Sequence, residues 1–169
     1  TALEGRDLRG IKFADAVLNG VIFSNSQLQD ADFSGAEIDG CVFERCQLQG
    51  ATFESARGEE VNFSGADLSE ANLKGTEFGN VRLDEANMDR AVLDRSRWVQ
   101  VGGRGLSARS LKAHAWVLDE AQLSQADFGQ ADFTGAVFQF VEAQDADFSE
   151  ANFTSAQLVK PDFQRSELR

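Results

Sequence analysis

The chain has 169 residues, of which 42% are hydrophobic and 26% charged, and it carries a net charge of −12. This mixture describes a folded acidic protein and argues against a disordered tail, and no apolar run is long enough to span a bilayer as a helix. The same charge disfavours direct nucleic-acid binding, and neither a secretory leader nor a membrane partner is expected.

From the first residues onward a bulky apolar side chain returns every fifth position: Leu3, Leu8, Phe13, Leu18, Phe23, Leu28, Phe33, Ile38, Phe43, Leu48 and Phe53. The register persists through Phe63, Phe128, Phe133, Phe148 and Phe153 to Phe163 and Leu168. Of its 34 positions, 29 carry Leu, Ile, Met, Phe or Trp, and 13 of the 14 phenylalanines fall on it, which identifies an internal repeat. Two residues before each centre the side chain is small: Ala occupies that place 16 times, and Cys41 and Cys46 share it. The residue between is polar, as in Ala31-Asp32-Phe33, Ala71-Asn72-Leu73 and Ala126-Asp127-Phe128. A helix would sweep this pattern around all its faces and a flat strand needs period two, so the chain must turn a corner every five residues.

The unit Ala-(Asp/Asn)-(Leu/Phe)-x-x resembles the repeat of the pentapeptide-repeat proteins over nearly the whole chain. The resemblance implies an all-β fold, a right-handed quadrilateral parallel β-helix with four units in each coil of twenty. Centres and small residues point inward and the other three positions outward. Coils stacked at the spacing of paired strands, about 4.8 Å, make a rod of roughly 40 Å in about eight coils. The expectation is one domain over 1–169, cut from a longer protein. Cys41 and Cys46 then sit inside as free thiols, consistent with a reducing cytoplasm, and no cofactor or metal is expected. If the piece belongs to a larger secreted protein, a bacterial effector, its location is outside the cell.

Outward residues twenty apart become vertical neighbours. One column reads Glu37, Arg57, Glu77, Arg97, alternating in sign. Another reads Asp67, Asn87, Asp127, Asp147 and Glu167, acidic and uncompensated. A third opens with Ala2, Ile22 and Val42, an apolar stripe that makes Ile22 and Val42 candidate contact residues. Gly58 and Ala143 replace bulky centres, with Phe63, Phe78, Phe138 and Phe148 near enough to fill the space. Phe140, the phenylalanine off register, should point outward beside Val137 and pack against a nearby loop or meet a partner.

The largest departure is Val101 to Ala115, where the centres become Gly103, Ala108 and Ala113 and Arg104, Arg109 and Lys112 bring three positive charges without an acid. Either the segment leaves the rod as a loop with a short helix over 108–118, or bulk and smallness are exchanged, with Leu106, Leu111 and Trp116 filling the core two residues early. Gly-Gly-Arg-Gly tips the expectation to an interruption near 101–115 that projects Arg104, Arg109, Lys112, His114 and Trp116.

Catalysis is not expected: one histidine, no tyrosine, and carboxylates standing in solvent rather than in a cleft supply no acid–base pair. His114 reads as an exposed loop residue. What remains is a noncatalytic acidic rod that presents a face or loop to a protein partner. Neither Thr1-Ala2-Leu3-Glu4-Gly5 nor Ser166-Glu167-Leu168-Arg169 reads as a cap, so a flanking domain or a second copy, forming a homodimer through a solenoid end, should cover at least one end. The resemblance also implies an alternative, because the family includes quinolone-resistance proteins whose acidic rod mimics DNA and binds DNA gyrase. Asp127 and Asp147, in the acidic column, are further candidate interaction residues. B-DNA carries a charge every 1.7 Å, or roughly 24 along 40 Å, so this rod has about half that density.

Overall fold

The computed structural model describes residues 1–168. The chain winds as a four-sided parallel β-helix whose rungs repeat every twenty residues, from Ala2 paired with Ile22 up to Asp147 paired with Glu167. On three walls the pairing is a single bridge per coil. On the fourth it widens into strands: β1 (Arg57–Glu59), β2 (Glu77–Arg82), β3 (Arg97–Gly102), β4 (Val117–Gln122), β5 (Val137–Glu142) and β6 (Gln157–Val159). These stack in chain order as one parallel sheet, and the middle four continue round a corner onto the next wall.

The corners explain the period. The amide of each small residue donates to the carbonyl of the centre three residues earlier, as from Ala16 to Phe13 at 3.0 Å. Every residue numbered by a multiple of five, from Gly5 to Arg165, has a positive φ, and only ten of these 33 are glycine. A tight turn with a left-handed residue at its third place fits, and it bends the chain before any helix or long strand can form.

Inside, the core ladder of phenylalanines forms two stacked columns. Phe23, Phe43 and Phe63 stack with centroids 5.0 Å apart, and Phe33 and Phe53 at 4.8 Å. The columns meet edge to face at 5.4–5.8 Å, an arrangement that aromatic quadrupoles favour. Phe128, Phe133 and Phe148 are buried, whereas Phe13 and Phe153, nearer the ends, are half-buried. Where Gly58 takes a centre, a Cβ would stand 2.8 Å from Val61 and 2.9 Å from Ile38, so these aliphatics, rather than phenylalanines, close on it.

The interruption expected near 101–115 does not occur. The segment keeps the ladder, with Ser107 N–H on the Ala86 carbonyl and Lys112 N–H on that of Ala91, both at 3.0 Å. Leu106, Leu111 and Trp116 are buried with Ala108 and Ala113, so the exchange of bulk is what the core adopts. Trp116 packs edge to face with Trp98 and Phe138 at 5.8 Å. Ladder pairing above and below outweighs the helix propensity of 108–118.

Cys41 and Cys46 are buried free thiols, each donating to a carbonyl of the coil below, Leu18 at 2.8 Å and Phe23 at 3.1 Å. Burial pushes both thiols up to about 11, and backbone hydrogen bonds only partly oppose it.

Candidate functional site

The polar residue before each centre has a structural task that the pattern alone did not disclose. Outside β1–β6 the amide of the residue after the centre takes no part in the ladder. An Asp or Asn two residues earlier accepts it: Asp67 from Ser69 at 3.0 Å, Asp127 from Gly129 at 2.9 Å, Asp147 from Ser149 at 2.7 Å. Bonds from the amide and hydroxyl of Ser149 hold the Asp147 carboxyl below the usual carboxylate range. Residues 101–115 have Gly102, Ser107 and Lys112 at that place, and the coil below supplies the acceptors instead. Arg104, Arg109 and His114 donate their amides to Asp84, Asp89 and Asp94 at 2.9–3.0 Å. That substitution lets the segment stay coiled. Much of the acidity is therefore fixed to the backbone that it serves.

Charge is banded along the axis. Residues 82–116 hold seven Lys or Arg against four Asp or Glu, whereas 117–159 hold eight acids and no base. Within the basic belt Arg90 pairs with Glu70 and Arg109 with Asp127, both at 2.7–2.8 Å. Among the described residues Arg82, Arg95, Arg97, Arg104 and Lys112 have no ion-pair partner, and all five stand exposed.

Two of the residues expected to project do not. Trp116 is in the core, 3% exposed, and cannot meet a partner. His114 lies on a flat wall rather than in a loop, its Nδ1 2.8 Å from Asp94 and its Nε2 3.1 Å from Asp132. Partial burial opposes protonation of His114, but the hydrogen bonds and charges of Asp132 and Asp94 outweigh it and raise its pKa. Ile22 and Val42 pair in register with Ala2 and are half-buried. Phe140 does point outward, 48% exposed, and no loop covers it; the Lys160 ammonium lies 5.3 Å from its ring centre.

The wall of β1–β6 changes character along its length. Toward β1 it carries Arg57 paired with Glu77 at 3.5 Å; toward β6 its outward residues include Val99, Val117, Val137, Phe140 and Val159. Around the next corner Arg82, Gly102, Gln122 and Glu142 stack in register. Two shallow hollows of about 360 and 390 Å³ meet at Gly102, sharing Gln100 and Gln122. Neither Arg82 nor Gly102 stands out by sequence pattern, because both occupy an outward place where the repeat is permissive. Among the described residues no three His, Cys, Asp or Glu group as metal ligands would.

The family model described as pentapeptide repeats matches in eight copies, within residues 1–35, 26–57, 36–75, 61–97, 117–154 and 131–169. The matched ranges leave out 98–116, where bulk and smallness are exchanged. No curated protein matches. Among solved structures, trypsin-treated QnrB1, a plasmid-mediated fluoroquinolone resistance protein, aligns with a TM-score of 0.72 at 19% identity, covering 94% of this chain and 90% of its own. HetL, a protein involved in heterocyst differentiation regulation from the cyanobacterium Nostoc sp. strain PCC 7120, gives 0.45 at 20% identity, covering 98% of this chain and 88% of its own. The likeness to QnrB1 is one of fold.

Proposed function

Because the chain belongs to the pentapeptide-repeat family, we propose that it is a noncatalytic protein-interaction module, a stiff rod that presents outward side chains at fixed spacing to a protein partner. The observation that carries this reading is the separation of roles within the unit. The core, the ladder and the Asp or Asn acceptors fix every coil, and the remaining outward side chains are left to vary. The shallow hollows suit contact with another surface better than enclosure of a small substrate. The test is affinity capture with the whole chain, followed by reconstitution with the recovered protein in purified form. Rebinding with Kd below about 1 μM, some 8 kcal/mol, supports the module. A recovered protein that does not rebind when pure refutes it.

A second reading rests on residues 117–159, which hold eight acids and no Lys or Arg, with Asp127 and Asp145 paired to Arg109 and Arg165 from outside the band. Such a band on a rod of this width supports a DNA mimic that binds DNA gyrase or a related topoisomerase and confers resistance to quinolones or toxins. The basic belt beside it and the lack of a projecting loop at 101–115 weigh against that reading, so it stands second. It predicts inhibition of gyrase supercoiling, or protection from a fluoroquinolone, that weakens when Asp127→Asn, Asp147→Asn and Glu150→Gln are combined. The amides keep the acceptors that the turns require, so loss of effect reports charge. No effect of the unaltered chain at tens of micromolar excludes it.

A further inference from the structure

We infer that the Gly102 notch is a docking site for an extended segment of a partner protein, with an acidic side chain seated between Arg82 and Arg104. The inference rests on the interaction-module reading and gives it a place. Of the fifteen glycines, ten take left-handed corners. At Gly58 and Gly103 packed core side chains occupy the room a Cβ would need, and at Gly79 and Gly129 the ends of the Glu59 and Asp127 side chains crowd it. Gly102 alone is required by neither: its φ is not left-handed, and a Cβ there would meet nothing nearer than the Val81 carbonyl oxygen at 3.9 Å. Glycine at the end of β3 weakens the strand, and the fold gains nothing in return. A bare backbone on an outward rung admits the close approach of another chain.

The surroundings define that chain's chemistry. On one side of Gly102 the hollow is lined by Arg82 and Arg104, by the single carboxylate of Asp84, and by the polar side chains of Asn80, Gln100, Gln122 and Ser124. No carboxylate pairs with either guanidinium among the described residues; Asp84 accepts the Arg104 amide, and the Arg104 side chain reaches only Gln125 Oε1 at 3.4 Å. On the other side the rim is Glu120, Glu142 and the exposed ring of Phe140. Phe140 holds a left-handed corner at φ 52°, where a bulky side chain is strained and glycine would sit freely. The site is thus polar in direction: two guanidiniums against one carboxylate, Asp84, at one end, and an aromatic and two acids at the other. Arg82 to Glu142 is three ladder steps, about 14 Å, the reach of four or five extended residues. An acidic residue over Arg82 and Arg104, backbone across Gly102, and an apolar then a basic residue beside Phe140, Glu120 and Glu142 complement the two guanidiniums, the bare backbone, the ring and the two glutamates.

The test selects a phage-displayed library of random dodecapeptides on the folded chain and measures the enriched peptides against Gly102→Val and against Arg82→Gln with Arg104→Gln. Gly102→Val fills the notch at a strand position that valine favours, and an unlowered melting temperature shows that it folds. The expected result is enrichment of peptides bearing an acid, each losing about tenfold or more in affinity on both variants. Peptides that bind Gly102→Val within twofold of the unaltered chain overturn the site while leaving an interaction role for other faces. Absence of any enriched peptide, displacement of the peptides by a DNA duplex, or self-association abolished by Gly102→Val also overturns it, the last assigning the notch to a second copy of the chain.

Discussion

Exchanging Leu111 and Ala113 tests whether the core between 101 and 116 is set by volume rather than by identity. Both are fully enclosed, Leu111 at 1% exposure and Ala113 at 0%. Leu111→Ala removes three buried carbons, about 2.4 kcal/mol of transfer free energy at ~0.8 per carbon, and the cavity adds to it, so a loss of about 3 kcal/mol is expected. Ala113→Leu forces the same three carbons against Trp116 and the residues above, costing about 2 kcal/mol by overpacking. Were the sites independent, the double variant would lose about 5 kcal/mol. Because it restores the bulky centre and small neighbour of the other coils at constant volume, it should lose less than about 1.5, a coupling of at least about 3.5 kcal/mol. The assay is urea unfolding followed by circular dichroism, comparing midpoints at equal slope, together with thermal melts. At about 2–4 °C per kcal/mol the singles fall by roughly 4–12 °C and the double by less than about 6 °C. A double variant that loses the full sum refutes volume exchange.

Other outcomes follow from single features. His114 has a raised pKa, so its contribution is complete below about pH 6.5, the unfolded value, and is lost as pH rises through the folded value. Melting temperatures of the unaltered chain should therefore fall from pH 6 to pH 9 relative to His114→Gln, by less than about 4 °C because the partly exposed ring contributes less than about 1 kcal/mol; parallel profiles would exclude the clamp on Asp94 and Asp132. Ala115 holds a left-handed corner at φ 54° with no side-chain bond to lose. Ala115→Gly should relieve about 1–2 kcal/mol of strain against about 0.5–1 of added chain entropy, raising the melting temperature, and a lowered one would contradict the turn assignment. Cys41 and Cys46, buried with thiols at about 11, should resist a disulfide reagent at pH 8 in the folded chain and react within minutes in urea. Rapid labelling of the native protein would show that the core opens.

The five-residue register, the inward ladder and the vertical pairing at twenty were legible because they depend only on which side chains are bulky. The path of 101–115 was not. Gly102-Gly103 and the helix formers of 108–118 speak for a local loop and helix, whereas the deciding partners are Ala86, Ala91, Asp89 and Asp94, a full coil away. The same distance hid His114 between Asp94 and Asp132 and turned Trp116 from a candidate contact into core. Phe140 was legible as outward because it breaks register. Gly102 was not, since only the space around it distinguishes it from fourteen other glycines.

Because each corner uses the same left-handed turn, the coil has a quarter-turn symmetry that the chain's genetics can exploit. Insertion or loss of one five-residue unit leaves every downstream side chain with its inside or outside assignment and rotates the remainder of the rod by 90°. A length that is not a multiple of five carries outward residues into inward places. Surface features above such an event would move intact from one wall to the next, so a partner's footprint can be re-aimed in discrete clicks while the core is unchanged.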